Sequence, residues 1–130
     1  MQMRSVSGFT LIELVVVIAI LAILAATAIP KFIDLRTEAV TATAQGIAGA
    51  LSSGTAVNFG ARVAGNTANT TAVTTCTTSA LTLQGGVLPA GAAFQTGATT
   101  VANGATTLCT IDFVSGSVTG TATATIIGAT

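Results

Sequence analysis

The chain contains no histidine, tryptophan or tyrosine, and it has only four basic and four acidic side chains in 130 residues. Without histidine it lacks the side chain that most often serves as general base and metal ligand near neutral pH. Charged residues make up 6% of the chain, far below the roughly 25% of ordinary soluble domains. We therefore predict that the protein is not an enzyme and that it holds neither a metal nor a cofactor.

The few charges are unevenly distributed along the chain. Beyond Glu38 only Arg62 and Asp112 are charged. A formal net charge of zero promotes self-association, which suits a subunit that polymerises but is also typical of a poorly soluble fragment. Nucleic acid binding needs a patch of basic side chains, so direct contact with nucleic acid is not expected.

A long apolar run extends from Phe9 to Ile29, interrupted only by Thr10, Glu13 and Thr27. At about 1.5 Å per residue, a helix of this length matches the hydrocarbon core of a bilayer, which is about 30 Å thick. The run is too long for the apolar region of a secretory signal. The pattern therefore predicts a transmembrane helix over residues 9–29, with Arg4 on the cytoplasmic side.

Helical spacing resumes beyond Pro30, which closes the apolar run and is expected to kink the helix or end it locally. An apolar stripe continues on one face of an otherwise small and polar surface: Ile33, Val40, Ala44, Ile47 and Leu51. We predict one helix from about Phe9 to near Phe59, within an amphipathic segment that covers residues 30–62. The stripe is interpreted as domain core rather than as a groove for a partner.

Residues 63–130 change to the pattern of strands and turns. Alternation predicts strands at 107–114 and 118–127, joined by a hairpin loop at 115–117. A further strand is predicted at about 72–83 and a short one near 98–102. The predicted fold class is α+β, with a long N-terminal helix packed on a small antiparallel sheet.

Both cysteines, Cys76 and Cys109, lie in this β-rich region. An even number of cysteines beyond a membrane segment is typical of an oxidising compartment and predicts one disulfide. Two buried free thiols in a reducing compartment are the alternative. The sequence Asn69-Thr70-Thr71 fits the N-glycosylation pattern, and the many hydroxyl side chains suit either O-linked sugars or solvent-facing strand positions.

The segment Gly8-Phe9-Thr10-Leu11-Ile12-Glu13 follows a short polar stretch with one basic residue and opens the apolar run. This arrangement resembles the precursors of type IV pilins and pseudopilins, which carry a class III leader. The run Pro30-Lys31-Phe32-Ile33-Asp34-Leu35 resembles pilins of the mannose-sensitive haemagglutinin type. The resemblance covers about residues 1–50, and it implies the type IV pilin fold and a structural subunit of a filament. The lack of bulky or charged surface features favours a major pilin over a minor one.

The resemblance also implies how the chain is processed. A prepilin peptidase is expected to remove residues 1–8 by cutting between Gly8 and Phe9, and to methylate the new amine of Phe9. Glu13 is expected to pair with the Phe9 amine of its own or a neighbouring subunit and so to fix the register of assembly. Pro30 falls at the helix-bending proline of the family.

The implied partners are identical subunits in a helical filament, the peptidase, and an inner-membrane assembly platform with its ATPase motor. The chain is expected to cross the inner membrane once before assembly and to be extracellular in the pilus afterwards. The filament would serve adhesion, twitching motility or surface attachment.

Two other interpretations stay open at this point. A pseudopilin of a type II secretion system shares the N-terminal motif. The major pseudopilin carries a calcium site that needs several oxygen ligands, whereas the β-rich region offers only the carboxylate of Asp112. A membrane-anchored periplasmic domain that never polymerises would explain the apolar run. It would not explain Glu13 inside that run.

Overall fold

The computed structural model describes residues 8–95 and 99–130, and at residues 32–34 it describes the backbone alone. Apart from Gly8, the predicted leader therefore lies outside the described residues. The elements, in chain order, are α1 (Leu11–Val63), α2 (Cys76–Ser79), a short 3₁₀ helix (Ala80–Thr82), β1 (Ala92–Phe94), β2 (Thr106–Ser115) and β3 (Val118–Ile127). The chain divides into two compact units, one ending at Leu35 and the other comprising Arg36–Thr130.

The first unit consists of the start of α1, which is apolar on all sides. The large apolar side chains of residues 9–29 are solvent-exposed, from 44% for Val15 to 89% for Phe9. A helix that is hydrophobic all round requires apolar surroundings, such as a bilayer or a bundle of similar helices. By length and composition α1 can cross a membrane, and it is the one helix of the described residues that can.

In the second unit, α1 buries the predicted stripe. Val40, Ala44, Ile47 and Leu51 are all buried, whereas the side chain of Ile33 lies outside the described residues. Ile47 and Leu51 share one core with the inward side chains of the sheet, which include Cys109, Ile111, Ala124 and Ile126. The predicted α+β arrangement, a helix packed on a small antiparallel sheet, is confirmed.

Helix α1 ends at Val63, one turn beyond its predicted end near Phe59. It contains interior glycines, each of which lowers helix stability by up to about 1 kcal/mol relative to alanine. At Gly54 the missing side chain has a packing reason. A Cβ there would lie 2.8 Å from Oγ1 of Thr82, so glycine lets the 3₁₀ segment approach the helix. Tertiary packing thus overrides local propensity in this part of the helix.

The sheet has the order β1-β2-β3 and is antiparallel throughout. Strands β2 and β3 pair along their whole length, from Thr106 opposite Ile127 to Ser115 opposite Val118. The predicted strands at 107–114 and 118–127 are therefore confirmed, and the loop between them tightens to Gly116 and Ser117. Gly116 has a φ of +64°, a left-handed conformation that glycine adopts without strain.

The backbone of β3 lies directly against α1. A Cβ on Gly120 would lie 2.7 Å from the Cα of Thr41, so only glycine permits this approach. Further along, Thr125 N donates to Oγ of Ser52 at 3.1 Å and Ile127 N donates to Oγ1 of Thr55 at 3.4 Å. Hydroxyl groups of the helix thus accept hydrogen bonds from backbone N–H groups on the free edge of the sheet.

The predicted strand at about 72–83 is wrong, because this segment forms α2 and the 3₁₀ helix. Oγ1 of Thr75 accepts a hydrogen bond from Thr78 N at 3.2 Å, and Oγ1 of Thr78 accepts one from Thr75 N at 2.9 Å. This reciprocal capping box starts a helix, since threonine hydroxyls compete with a sheet for backbone groups. Extended pairing is limited to isolated bridges of Val73 with Ala129 and of Thr75 with Thr100.

One smaller prediction near β1 needs correction, and β1 itself is an addition to the predicted strands. The predicted strand near 98–102 begins in residues outside the described ranges. At 99–102 the structure has the single bridge of Thr100 and no strand. Strand β1 was not predicted, because Ala92-Ala93-Phe94 is too short and too uniform to show alternation.

The two cysteines form a disulfide, with Cα atoms 5.7 Å apart. Because both sulfur atoms are in this bond, the alternative of two buried free thiols does not apply, although both residues are fully buried. The bond joins the start of α2 to the middle of β2. It therefore ties the segment that follows α1 to the sheet.

Candidate processing and assembly site

The start of α1 is fixed by a reciprocal pair of side chains. Oε2 of Glu13 accepts hydrogen bonds from the backbone N of Thr10 at 2.8 Å and from its Oγ1 at 2.7 Å. In return, Glu13 N donates to Oγ1 of Thr10 at 3.4 Å. Thr10 is thus the N-cap and Glu13 the third helical residue of a capping box.

The capping box turns the carboxylate of Glu13 back towards the chain that enters the helix. Gly8, Phe9, Thr10 and Glu13 line one shallow, open depression. A negative charge in the first helical turn also interacts favourably with the helix dipole. The carboxylate therefore lies beside the residues that precede the helix, in the position from which it can pair with a positive group there.

The bond between Gly8 and Phe9 is accessible, because both residues are exposed. A Cβ added at Gly8 would meet no atom within 4 Å. The described atoms around Gly8 therefore leave room for a side chain at this position.

Pro30 lies inside α1 and does not end it, contrary to one of the two predicted outcomes. Proline has no backbone N–H, so the carbonyl of Ala26 loses its usual helical partner. One turn earlier, Oγ1 of Thr27 donates to the carbonyl oxygen of Leu24 at 3.0 Å. The backbone hydrogen-bond ladder is therefore weakened in the turn before Pro30.

The described residues contain no cluster of three histidine, cysteine or acidic side chains that could hold a metal ion. Asp112, the carboxylate of the β-rich region, accepts a hydrogen bond from Oγ1 of Thr121 on the neighbouring strand at 2.7 Å. It is thus engaged in a cross-strand pair.

Of the residues predicted to have a role, the structure brings Gly8, Phe9 and Glu13 together. Pro30 lies further along α1, and Cys76 and Cys109 belong to the core of the second unit. Sequence reasoning missed Thr10. The signal was present, because a threonine followed three residues later by glutamate before an apolar run is the sequence pattern of a capping box.

Comparison with known proteins finds a family model and a curated relative that match part of the chain. Residues 3–29 match the family model of the prokaryotic N-terminal methylation motif. Over 50 residues the chain is 48% identical to the "Type IV narrow pilus major component PilA5" of Thermus thermophilus, an overlap of 38% of this chain and 43% of the relative. The chain thus matches less than half the length of that curated relative. No solved structure matches it.

Proposed function

We propose that this chain, which belongs to the type IV pilin family by its N-terminal segment, is the repeated structural subunit of a pilus-like filament. The proposal rests chiefly on one observation: the start of α1 is apolar on every side and exposed, and it carries a single carboxylate in its first turn. Such a helix needs either lipid or other copies of itself. The similar Thermus thermophilus protein is a major pilus component by name, which favours a major over a minor subunit.

The first proposed step is cleavage between Gly8 and Phe9 by a prepilin peptidase, followed by methylation of the new amine. The accessible bond supports this step. Gly8 supports it too, because no described atom occupies the space of a side chain there, whereas a protease that approaches the backbone closely favours glycine. Since the cut precedes the apolar helix, the mature protein keeps its membrane anchor.

The second proposed step is assembly guided by Glu13. A charge in apolar surroundings costs several kcal/mol unless it is paired. Cleavage creates a positive amine on Phe9, next to the residue whose backbone N lies 2.8 Å from the Glu13 carboxylate. Pairing with that amine, or with the amine of a neighbouring subunit, removes the cost. Misregister would leave a charge unpaired, which is strongly unfavourable.

The third element of the proposal is the filament core. Each Leu, Ile or Val side chain buried between helices is worth roughly 1.5–3 kcal/mol relative to water. Small residues on the same helix, among them Ala19, Ala22 and Ala26, allow the backbones to approach closely. The weak ladder before Pro30 gives the helix a place to stretch or bend as the bundle forms.

In this account the protein crosses the inner membrane once before assembly and is extracellular in the pilus afterwards. Its partners are identical subunits, the peptidase, and an inner-membrane assembly platform with its ATPase motor. The filament would serve adhesion, twitching motility or surface attachment.

A pseudopilin of a type II secretion system is the second candidate, because the N-terminal motif is common to both groups. Two observations favour the pilin. The chain has a fully buried disulfide, and Asp112 is paired with Thr121 rather than grouped with other acidic ligands.

The test is to express the full chain in its producing cells, with and without the prepilin peptidase, and to follow it by immunogold microscopy of sheared filaments. We expect labelled filaments in the first strain and uncut protein confined to membranes in the second. Cut protein that stays in the membrane while filaments are unlabelled would favour the pseudopilin.

A further inference from the structure

Asn103 is chemically distinct among the four asparagines of the chain because it alone precedes a glycine. The others, Asn58, Asn66 and Asn69, precede phenylalanine or threonine. Asparagine deamidates, losing its side-chain amide, when the backbone nitrogen of the next residue attacks the side-chain carbonyl carbon. A side chain on that next residue obstructs the attack, and glycine has none.

The local geometry leaves this pair accessible. Ala105 N donates to the carbonyl oxygen of Ala102 at 3.0 Å, so Asn103 and Gly104 occupy the middle of a tight turn. Gly104 has a φ of +73°, which the third position of a type II turn requires. Both residues are exposed, so water reaches the reacting atoms.

The two reacting groups are both held by the segment 128–130. Gly104 N donates to the carbonyl oxygen of Gly128 at 2.9 Å, and Thr130 N donates to Oδ1 of Asn103 at 3.2 Å. The segment is itself held by paired hydrogen bonds between Ala129 and Val73, at 2.9 and 2.7 Å. While it is docked, the nucleophile and the amide are kept in place. When it detaches, both are released together.

We propose that Asn103 is a site of spontaneous deamidation in the folded protein, and that detachment of residues 128–130 sets its rate. Gly104 N forms a bond to Cγ of Asn103, and the side-chain nitrogen leaves as ammonia, taking the Gly104 amide proton. Water then opens the resulting imide at either carbonyl to give aspartate or isoaspartate. One water enters and one ammonia leaves, so the reaction needs no enzyme and no oxidant.

The product changes a nearly uncharged region. Residues 63–130 contain one charged side chain, Asp112, and the net charge of the whole chain is zero. Deamidation adds a carboxylate that Thr130 N can bind through a charge-assisted hydrogen bond. The aspartate form is thus compatible with the docked segment. The isoaspartate form lengthens the backbone within the turn and disturbs the bond between Ala105 and Ala102.

The experiment is to age the full-length protein at neutral pH, native in detergent or unfolded and reduced, and to quantify the conversion of each asparagine by peptide mapping. We expect Asn103 to convert several-fold faster than Asn66 and Asn69 in both states, and more slowly in the native state than in the unfolded one. Isoelectric focusing is expected to show an acidic shift of one charge. The Asn103→Gln variant, whose longer side chain cyclises poorly, is expected to lack that shift.

Three results would overturn the proposal. In the native protein, Asn66 or Asn69 could deamidate as quickly as Asn103, which would show that Gly104 does not accelerate the reaction. Asn103 could deamidate equally fast in native and unfolded protein, which would show that docking of residues 128–130 does not limit the rate. Native protein could keep Asn103 intact while unfolded protein converts it, which would restrict the reaction to the unfolded chain.

Discussion

The carboxylate of Glu13 lies 2.8 Å from the backbone N of Thr10 and 2.7 Å from its Oγ1, so one side chain closes the start of the apolar helix. In the proposed mature subunit, the same carboxylate pairs with the amine that cleavage creates on Phe9. Capping needs only an oxygen that accepts a hydrogen bond, whereas pairing needs a negative charge. Substitutions can therefore separate the two roles.

Glu13→Gln keeps the acceptor oxygen and removes the charge, and glutamine serves as well as glutamate in a capping box. We expect this variant to be processed and inserted into the membrane normally but to yield few or no filaments. Processing is measured by mass, and filament yield by quantifying protein in the sheared fraction. A filament yield equal to that of the original protein would contradict the proposed charge pairing, and Glu13 would then act only as a helix cap.

Thr10→Ala removes the cap and keeps the charge of Glu13. The expected cost is about 1 kcal/mol at the helix start. The backbone amide of Glu13, which donates to Oγ1 of Thr10, should exchange with deuterium faster in detergent micelles. Thr10→Ser preserves the hydroxyl and is the matched control, with exchange close to that of the original protein. Equal protection in the alanine and serine variants would show that the hydrogen bonds to Thr10 do not hold the helix start.

Gly8→Val tests the proposed cleavage site. A Cβ at position 8 meets nothing within 4 Å, so folding and membrane insertion should not change. Processing should be lost because the peptidase must approach the backbone closely. Gly8→Ala is the graded control and is expected to be cut more slowly than the original chain and faster than the valine variant. Normal processing of the valine variant would show that the cleavage site lies elsewhere.

Gly120→Ala tests the contact between β3 and α1. The new methyl group would lie 2.7 Å from backbone atoms of Thr41, which cannot move without shifting the helix. We expect a destabilisation of about 1–3 kcal/mol, as for other overpacked cores. Hydrogen exchange of β2 and β3 amides in the full-length protein measures it.

Gly49→Ala is the control for this contact, because a Cβ at position 49 meets no atom within 4 Å. Alanine in an exposed helix interior should be neutral or stabilise the protein by up to about 1 kcal/mol. If both alanine variants behaved alike, the close approach of Gly120 to Thr41 would not matter for stability.

Replacing both cysteines by alanine tests the contribution of the disulfide. Cys76 and Cys109 are separated by 33 residues and both are fully buried. Loss of such a bond typically costs about 2–5 kcal/mol. Protection of the β2 and β3 amides should fall accordingly, while membrane insertion through α1 should not change. Unaltered protection would mean that packing alone holds α2 against the sheet.

The parts of the fold that could be predicted from the sequence are those with strong periodicity. The two-residue alternation that places Cys109 and Ile111 on one face predicted β2, and the alternation of alanine and threonine predicted β3. The stripe through Val40, Ala44 and Leu51 identified the helix face that packs against them. In each case one face is buried and the other is not, so the pattern of apolar and polar residues predicts the element.

The errors occurred where side chains bond locally to the backbone. Thr75 and Thr78 belong to a residue type that favours strands, yet their hydroxyls form a capping box and begin α2. The same kind of local bond between Thr10 and Glu13 was missed, although its spacing is visible in the sequence. Strand β1 depends on pairing with β2, a tertiary interaction with no signature in Ala92-Ala93-Phe94.

The most direct test of the central proposal is the intact mass of the protein in filaments sheared from the producing cells. The account predicts a dominant species that begins at a methylated Phe9 and contains one disulfide. Filaments built from this species would establish processing and assembly in one spectrum. Filaments whose subunit retains Met1 to Gly8 would contradict the account, because the amine that Glu13 is proposed to pair with would never form.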